Sequence, residues 1–133
     1  MQIKVTTDYA IRMVVYMALH RRVISSNEIS EKLKIPQSIA LKIGKKLSKE
    51  AIASIIMGPH GGLSLRRRPD EITLLDIICL FEPTIKLSRC LEEDEYCSRN
   101  ATEDCPVRRF YCGWQDETEE RLRTATIQSL IEP

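Results

Sequence analysis

The sequence predicts a mainly α-helical protein with one small β-hairpin and a long C-terminal helix. Apolar residues recur every three to four positions in most of the chain, whereas strict alternation is confined to residues 63–66, after an isoleucine-rich run. Helical spacing then returns over residues 106–124. With 133 residues the chain is long enough to bury one core. Because no apolar run approaches the roughly 18 residues of a membrane helix, we expect a cytoplasmic protein without membrane contact.

The first two helices are predicted from spacing and capping. Apolar residues of the segment 7–20 recur at helical intervals, which predicts an amphipathic helix packed on a core. Ser25 and Glu28 have the spacing of a capping box, in which two side chains reciprocally satisfy the free amides at a helix start. A short helix should therefore follow at residues 26–33.

A third helix is predicted over residues 36–50, with Pro36 near its start, where a missing amide hydrogen has little effect. Its apolar residues share one face. Gly44 is a poor helix former inside this segment, which indicates that a neighbouring backbone needs the room. The opposite face is basic and carries Lys42, Lys45, Lys46 and Lys49.

A β-hairpin is predicted next. The apolar run at residues 52–57 breaks at the turn sequence GPHGG, and the chain resumes with period-two alternation at 63–66. Three arginines close the hairpin: Arg66, Arg67 and Arg68. Three helices followed by a hairpin is the element order of a winged helix-turn-helix.

The second half of the chain begins with a predicted fourth helix at residues 74–82, which Pro83 ends and in which Cys79 is expected to lie in the core. The acidic segment 91–104 shows no periodicity and is predicted to be a loop.

A long helix is then predicted from Pro106 to about Thr124, followed by a short tail at residues 126–131. Too little chain surrounds this helix to cover its apolar stripe, so we expect a homodimer. The stripe consists of Val107, Tyr111, Trp114, Thr118, Leu122 and Ala125.

The formal net charge of +1 hides a strong asymmetry. Residues 1–70 carry 13 Lys and Arg against 5 Asp and Glu, whereas residues 71–133 carry 7 against 14. The first part therefore suits a polyanion such as duplex DNA, and the second part would repel it.

DNA contacts are predicted on the third helix and the hairpin. Gln37 and Ser38 stand at the N-terminal end of that helix, where a helix-turn-helix contacts base edges, and the four lysines are expected to meet phosphates. His60 and the arginines from Arg66 onward would reach along the backbone or into the minor groove. These assignments divide the chain into a winged helix-turn-helix DNA-binding domain at 1–84, a cysteine-rich loop at 85–105, and a dimerisation helix with its tail at 106–133.

Four of the five cysteines fall within 23 residues: Cys90, Cys97, Cys105 and Cys112. In a reducing cytosol, clustered thiols are more often metal ligands or redox groups than disulfides. Zinc bound by four cysteines is one interpretation that this spacing leaves open. No phosphate-binding loop or nucleophile–base pair accompanies the cysteines, and His20 and His60 are far apart, so we do not expect an enzyme.

Several fragments in one order carry a family resemblance. They are TDYAIR at 7–12, GPHGG at 58–62, EITLLD at 71–76, three cysteines before a long helix, and TIQSL at 126–130. With them the whole chain resembles the bacterial winged-helix regulators that include the iron–sulfur-cluster-assembly regulator IscR and the nitric-oxide-sensing repressor NsrR. The resemblance implies a homodimeric transcription regulator, expected to repress, that senses cluster status, redox or nitric oxide. Some members carry no cluster, so a cluster-free or zinc-bound regulator responding to thiol oxidation or a partner protein is the alternative.

The resemblance also implies that Cys90, Cys97 and Cys105 hold an iron–sulfur cluster, either 2Fe–2S or 4Fe–4S. The intervals between these cysteines, six residues and then seven, are wider than in the family members compared. The loop is therefore expected to wrap a cluster differently.

A fourth ligand remains open. In the assembly-regulator branch a histidine follows the third cysteine by three residues, but this position is Arg108 here. In the nitric-oxide branch an aspartate of the other subunit's first helix completes the site, and Asp8 occupies the matching position. Cys112, about two helical turns after the third cysteine, is the local alternative.

Overall fold

The computed structural model describes residues 2–133. Within them, six α-helices and one antiparallel hairpin follow in order. They are α1 (Val5–His20), α2 (Ser26–Leu33), α3 (Gln37–Lys49), β1 (Ala53–Ile56), β2 (Gly62–Leu65), α4 (Leu74–Phe81), α5 (Pro106–Thr124) and α6 (Ile127–Ile131). Single 3-10 turns occupy Pro69–Glu71 and Arg89–Leu91. The mainly helical class with one hairpin is confirmed, and no helix of the described residues is long and apolar enough to span a membrane.

The predicted capping box at the start of α2 forms only in half. Ser25 Oγ accepts the Glu28 amide at 3.1 Å. The Glu28 carboxylate, however, accepts the Tyr16 hydroxyl (2.7 Å) and the Arg22 guanidinium (2.9 and 2.8 Å). These two donors, Arg22 above all, lower the pKa of Glu28 to about 2. Glu28 therefore ties α2 to α1.

Glycines allow α3 and the hairpin to pack closely. A Cβ on Gly44 would lie 2.7 Å from Leu63 Cδ1, so the neighbour that needs the room is a side chain of β2. Gly62 has φ +154, and a Cβ there would lie 2.1 Å from the Ile24 carbonyl oxygen. Ile24 and Leu63 exchange both main-chain hydrogen bonds at 2.8 Å, so a single antiparallel bridge attaches the segment after α1 to β2.

The core is built around α1, with α3, α4 and α6 packed against it. The predicted tail is in fact the helix α6, whose Ile127 is fully buried. The expectation that Cys79 lies in the core is wrong, because Ile77, Ile78 and Phe81 form the buried face of α4 and leave Cys79 exposed. Pro36 precedes α3 as its cap, with an extended ψ of 132°, and is not its first helical residue.

Candidate nucleic-acid interface and cysteine loop

The outward face of α3 is polar and basic. Ala40, Ile43 and Leu47 bury the opposite side of the helix. At 100° per residue, Ser38, Lys45 and Lys49 point directly away from that buried side, and all three are exposed. Within residues 2–133 no lysine of α3 forms a salt bridge. The positive charge of this face is therefore available to an external anion.

The N-terminal end of α3 lies beside the start of α2. Gln37 is exposed, and its Nε2 donates to Ser26 Oγ at 3.0 Å. This contact holds the Gln37 side chain at the same end of the helix as Ser38. The two predicted base-reading residues therefore share one polar corner of the helix-turn-helix.

Lys42 and Lys46 lie on the flank of α3 that faces α1 and α4. Both line a shallow cavity together with Lys4 and Phe81. Lys46 Nζ lies 5.1 Å from the centroid of the Phe81 ring, a cation–π contact. The four predicted lysines therefore form two pairs: Lys45 and Lys49 on the outward face of α3, and Lys42 and Lys46 on its flank.

The hairpin separates the predicted wing residues. His60 is exposed in the turn that joins β1 to β2, where the Gly61 amide donates to the Gly58 carbonyl at 3.0 Å. Arg66 follows β2 at the opposite end of the hairpin, and its amide donates to the Ile52 carbonyl at 2.9 Å. The structure therefore does not bring Arg66 to the wing tip with His60.

Sequence reasoning missed two apolar side chains in the groove between α3 and the wing. Leu41 is 50% exposed and Met57 is 85% exposed, and both line this groove with Lys45. The sequence did indicate that Leu41 is exposed, because Leu41 falls outside the buried stripe of α3.

Two cysteines of the loop have environments that favour thiolate. Cys105 caps the N-terminus of α5, where its Sγ accepts the Arg108 amide at 3.4 Å. This bond, with further help from Arg99, lowers the pKa of Cys105. The amides of Ala101 and Arg99 likewise lower the pKa of Cys97. Lowered thiol pKa values suit metal ligation and redox reaction alike.

Arg108 attaches the loop to α5. Its Nε donates to the Cys90 carbonyl at 3.2 Å and its Nη2 lies 3.3 Å from Glu95 Oε1. Cys90 itself lies in the turn Arg89–Leu91, with Sγ 3.4 Å from Ser88 Oγ. The residue that replaces the histidine of the assembly-regulator branch therefore supports the loop through main-chain and carboxylate contacts.

The predicted ligands do not converge within the described chain. Among residues 2–133, no three His, Cys, Asp or Glu side chains lie close enough together to hold a metal ion. Asp8, on α1, pairs with Arg12 at 2.6 Å, and Cys112 is half-buried on α5. The donor chemistry fits a thiolate-bound group, but a site would need the loop to draw its cysteines together.

One face of α5 is apolar and exposed. Phe110 is 68% exposed and Trp114 is 42% exposed, and their ring centroids lie 6.3 Å apart. Sequence reasoning missed Phe110, which lies beside the predicted stripe. Trp114 and Val107 of that stripe are exposed, while its other members are half-buried.

A single buried residue of α5, Gln115, faces the rest of the chain. Its Oε1 accepts the Leu87 amide at 2.8 Å, and its Nε2 donates to the Ile85 carbonyl at 3.1 Å. These two hydrogen bonds hold the connection that follows α4 against α5. No element of residues 2–133 covers the aromatic face of α5.

Known proteins resemble this chain over nearly its full length. The model of the Rrf2 family, described as iron-dependent transcriptional regulators, matches residues 3–133. A protein of Aquifex aeolicus strain VF5 named as an HTH-type transcriptional regulator is 35% identical over 127 residues, 95% of this chain and 88% of that protein. The HTH-type transcriptional regulator NsrR of Shouchella clausii is 26% identical over 96 residues, 71% of this chain and 64% of that protein.

A solved structure shares the fold. It is that of CymR (YrzC), the global cysteine regulator of B. subtilis. It superposes with a TM-score of 0.76 at 22% identity, covering 98% of this chain and 95% of that chain. The likeness confirms the predicted winged helix-turn-helix fold.

Proposed function

Because the chain belongs to the Rrf2 family of transcriptional regulators, we propose that it acts as a homodimer on a two-fold symmetric DNA site and senses a signal through its cysteine loop. Proteins of this family are DNA-binding regulators and not enzymes, which confirms that part of the sequence prediction. The observation that carries the proposal is the exposed, unpaired basic face of α3.

In the proposed complex, α3 lies in the major groove. Gln37 and Ser38 stand at its N-terminal end, where they reach base edges, and Lys45 and Lys49 on the outward face meet phosphates. His60, at the tip of the wing, reaches the neighbouring minor groove or its backbone.

The aromatic face of α5 forms the dimer contact in this proposal. An exposed pair of large rings, Phe110 and Trp114, suits a two-fold interface, in which the same patch meets its own copy. Such a dimer sets its two recognition helices roughly 34–36 Å apart, one turn of DNA. We expect Phe110→Glu to convert the protein to a monomer in light scattering after size exclusion. Met57→Glu, which places the same charge on an exposed apolar residue outside α5, is the control and should leave the dimer intact. A parent protein that is already monomeric would exclude the dimer.

For sensing, we propose that Cys90, Cys97 and Cys105 hold an iron–sulfur cluster, with Asp8 of the other subunit or the local Cys112 as the fourth ligand. When bound, a cluster would supply a centre that reacts with oxidants and nitric oxide. Main-chain amides already favour the thiolate forms of Cys97 and Cys105, which are the ligating forms.

Anaerobic reconstitution tests the cluster and its fourth ligand. We expect the parent protein to gain visible absorption with matching iron and sulfide contents, and Cys97→Ser to lose both. Cys79→Ser, which alters the exposed cysteine of α4, is the matched control and should load normally.

The same assay identifies the fourth ligand. Asp8→Ala should weaken retention of the cluster if Asp8 is that ligand. If Asp8→Ala retains the cluster and Cys112→Ser loses it, the fourth ligand is Cys112. A parent protein that stays colourless and iron-free would exclude the cluster.

A second candidate is a cluster-free regulator that responds to thiol oxidation. The dispersed thiols and the lowered pKa values of Cys97 and Cys105 favour it, and the relative CymR is named as a cysteine regulator. Mild peroxide would then change DNA affinity of the metal-free protein, with a mass change confined to the cysteine loop. Zinc analysis of the purified protein separates both candidates from a zinc-bound form.

A further inference from the structure

We propose that a cavity at the base of the wing binds the phosphate group of a small phosphorylated molecule. The cavity has a volume of about 470 Å³ and lies where the end of α1 meets the end of β2. Five arginines line it: Arg21, Arg22, Arg66, Arg67 and Arg68. None of them lies on α3, and three of them, Arg66 to Arg68, are the arginines that the sequence alone assigns to DNA.

The bridge between Ile24 and Leu63 brings together two arginine runs that are over forty positions apart in the sequence. Arg21 ends α1 in the left-handed conformation, with φ 51, and turns the chain toward the hairpin. The antiparallel pairing of Ile24 with Leu63 then runs the chain back beside β2. Arg21 and Arg22 thereby line the same cavity as the arginines that follow β2.

The positive charge of this cavity is only partly balanced. Arg22 and Arg68 have carboxylate partners at 2.8 and 2.6 Å. Among residues 2–133, Arg21 and Arg66 have no acidic partner within 4.0 Å. Like charges gathered without counterions repel each other, so an anion in the cavity would be stabilised.

Arg67 lines this cavity and also a neighbouring one that contains Asp76 and Cys79. Its Nη1 lies 4.0 Å from Asp76 Oδ2, and its Nε is buried without a hydrogen-bond partner among the described residues. Arg67 therefore adds positive charge to the wall of the cavity, and Asp76 balances that charge only from the neighbouring side.

Phosphate fits this donor set best. Guanidinium groups form paired hydrogen bonds with phosphate oxygens, and several converging arginines can hold a dianion. The volume lies within the range of small-molecule sites, and the half-buried Leu65 provides an apolar contact for the rest of the ligand.

The position of the cavity argues against a DNA phosphate as its ligand. Residues Ala53 and Leu65 pair at the base of the hairpin, whereas His60 lies beyond the other end of both strands. Four residues of strand span about 13 Å, so the cavity lies well behind the wing tip that the proposed complex directs at DNA.

Calorimetric titration of the full-length protein with inorganic phosphate tests the proposal, with ionic strength held constant by chloride. We expect binding by the parent protein and an affinity about tenfold lower in Arg21→Asn, because a charged hydrogen bond is lost. Asparagine tolerates the left-handed conformation, so this variant should keep its fold. Arg67→Gln should weaken binding similarly, and Lys45→Gln, which removes one charge from α3, should bind phosphate like the parent. No binding by the parent, or equal losses in Arg21→Asn and Lys45→Gln, would overturn the site.

A second arm separates the two sources of phosphate. In phosphate-free buffer, Arg21→Asn should bind a duplex within about twofold of the parent, while Lys45→Gln binds it more weakly. If Arg21→Asn weakens duplex binding as much as Lys45→Gln does, the cavity holds a backbone phosphate and the small-molecule assignment is wrong. Because phosphate binding and duplex binding are measured separately, failure of either proposal leaves the other testable.

Discussion

Replacing Lys45 by Gln should flatten the salt dependence of DNA binding. Lys45 is exposed on the outward face of α3 and has no salt bridge within residues 2–133, so the substitution removes a phosphate contact and leaves the fold unchanged. A homodimer loses two contacts, and each contributes about 0.9 to the slope of log K against log salt, so the slope should fall by about 1.8. Between 50 and 200 mM salt the variant should lose about tenfold less affinity than the parent.

Fluorescence anisotropy with a labelled duplex measures this slope. Arg109→Gln is the matched control, because Arg109 is equally exposed but lies on α5. It should leave the slope unchanged. An unchanged slope in Lys45→Gln, or an equal decrease in both variants, would show that α3 is not the phosphate-binding surface.

Three further predictions concern the fold and its ionisable groups. Gly44→Ala should lower the free energy of unfolding in urea. Overpacking against Leu63 should destabilise the fold by about 1–3 kcal/mol, which outweighs the roughly 1 kcal/mol that alanine adds through its higher helix propensity. An unchanged free energy of unfolding would mean that Leu63 moves aside. The lowered pKa of Glu28 stabilises the fold fully above about pH 4.5, and this contribution disappears as the pH falls towards 2. Glu28→Gln should therefore be less stable than the parent at pH 7 and should converge with it near pH 2, and parallel pH curves would contradict this. Finally, Cys97, with its lowered pKa, should react with iodoacetamide faster than Cys79, whose pKa desolvation raises, as peptide mass spectrometry would show; equal rates would contradict the pKa order.

The exposed residues of α3 were predictable because helical periodicity assigns each residue to a face. Once Ala40, Ile43 and Leu47 are recognised as the buried stripe of α3, the direction of Lys45 follows from 100° per residue. The same reasoning failed for Cys79. The helix α4 is only eight residues long, and its single charged residue, Asp76, marks the exposed side that Cys79 shares one turn later.

Contacts between distant segments could not be predicted from local pattern. Arg21 and Arg66 line one cavity because Ile24 is bridged to Leu63, and sequence runs so far apart do not specify that pairing. The cysteine loop lacks periodicity altogether, so the sequence predicted which thiols it carries but not how far apart they lie.

The helix α5 contacts the segment 85–105 through its first half and the winged helix-turn-helix part through its end. At its first turn Arg108 donates to the main chain of the loop, and in its middle Gln115 binds the main chain that follows α4. Beyond its last turn, the Ala125 carbonyl accepts the first amide of α4, and the fully buried Ile127 places α6 in the core beside α1. If the loop senses a signal as proposed, we expect α5 to transmit it, because a displacement that keeps the helix straight and the buried contacts of Ile127 intact also moves the part of the chain that carries α3.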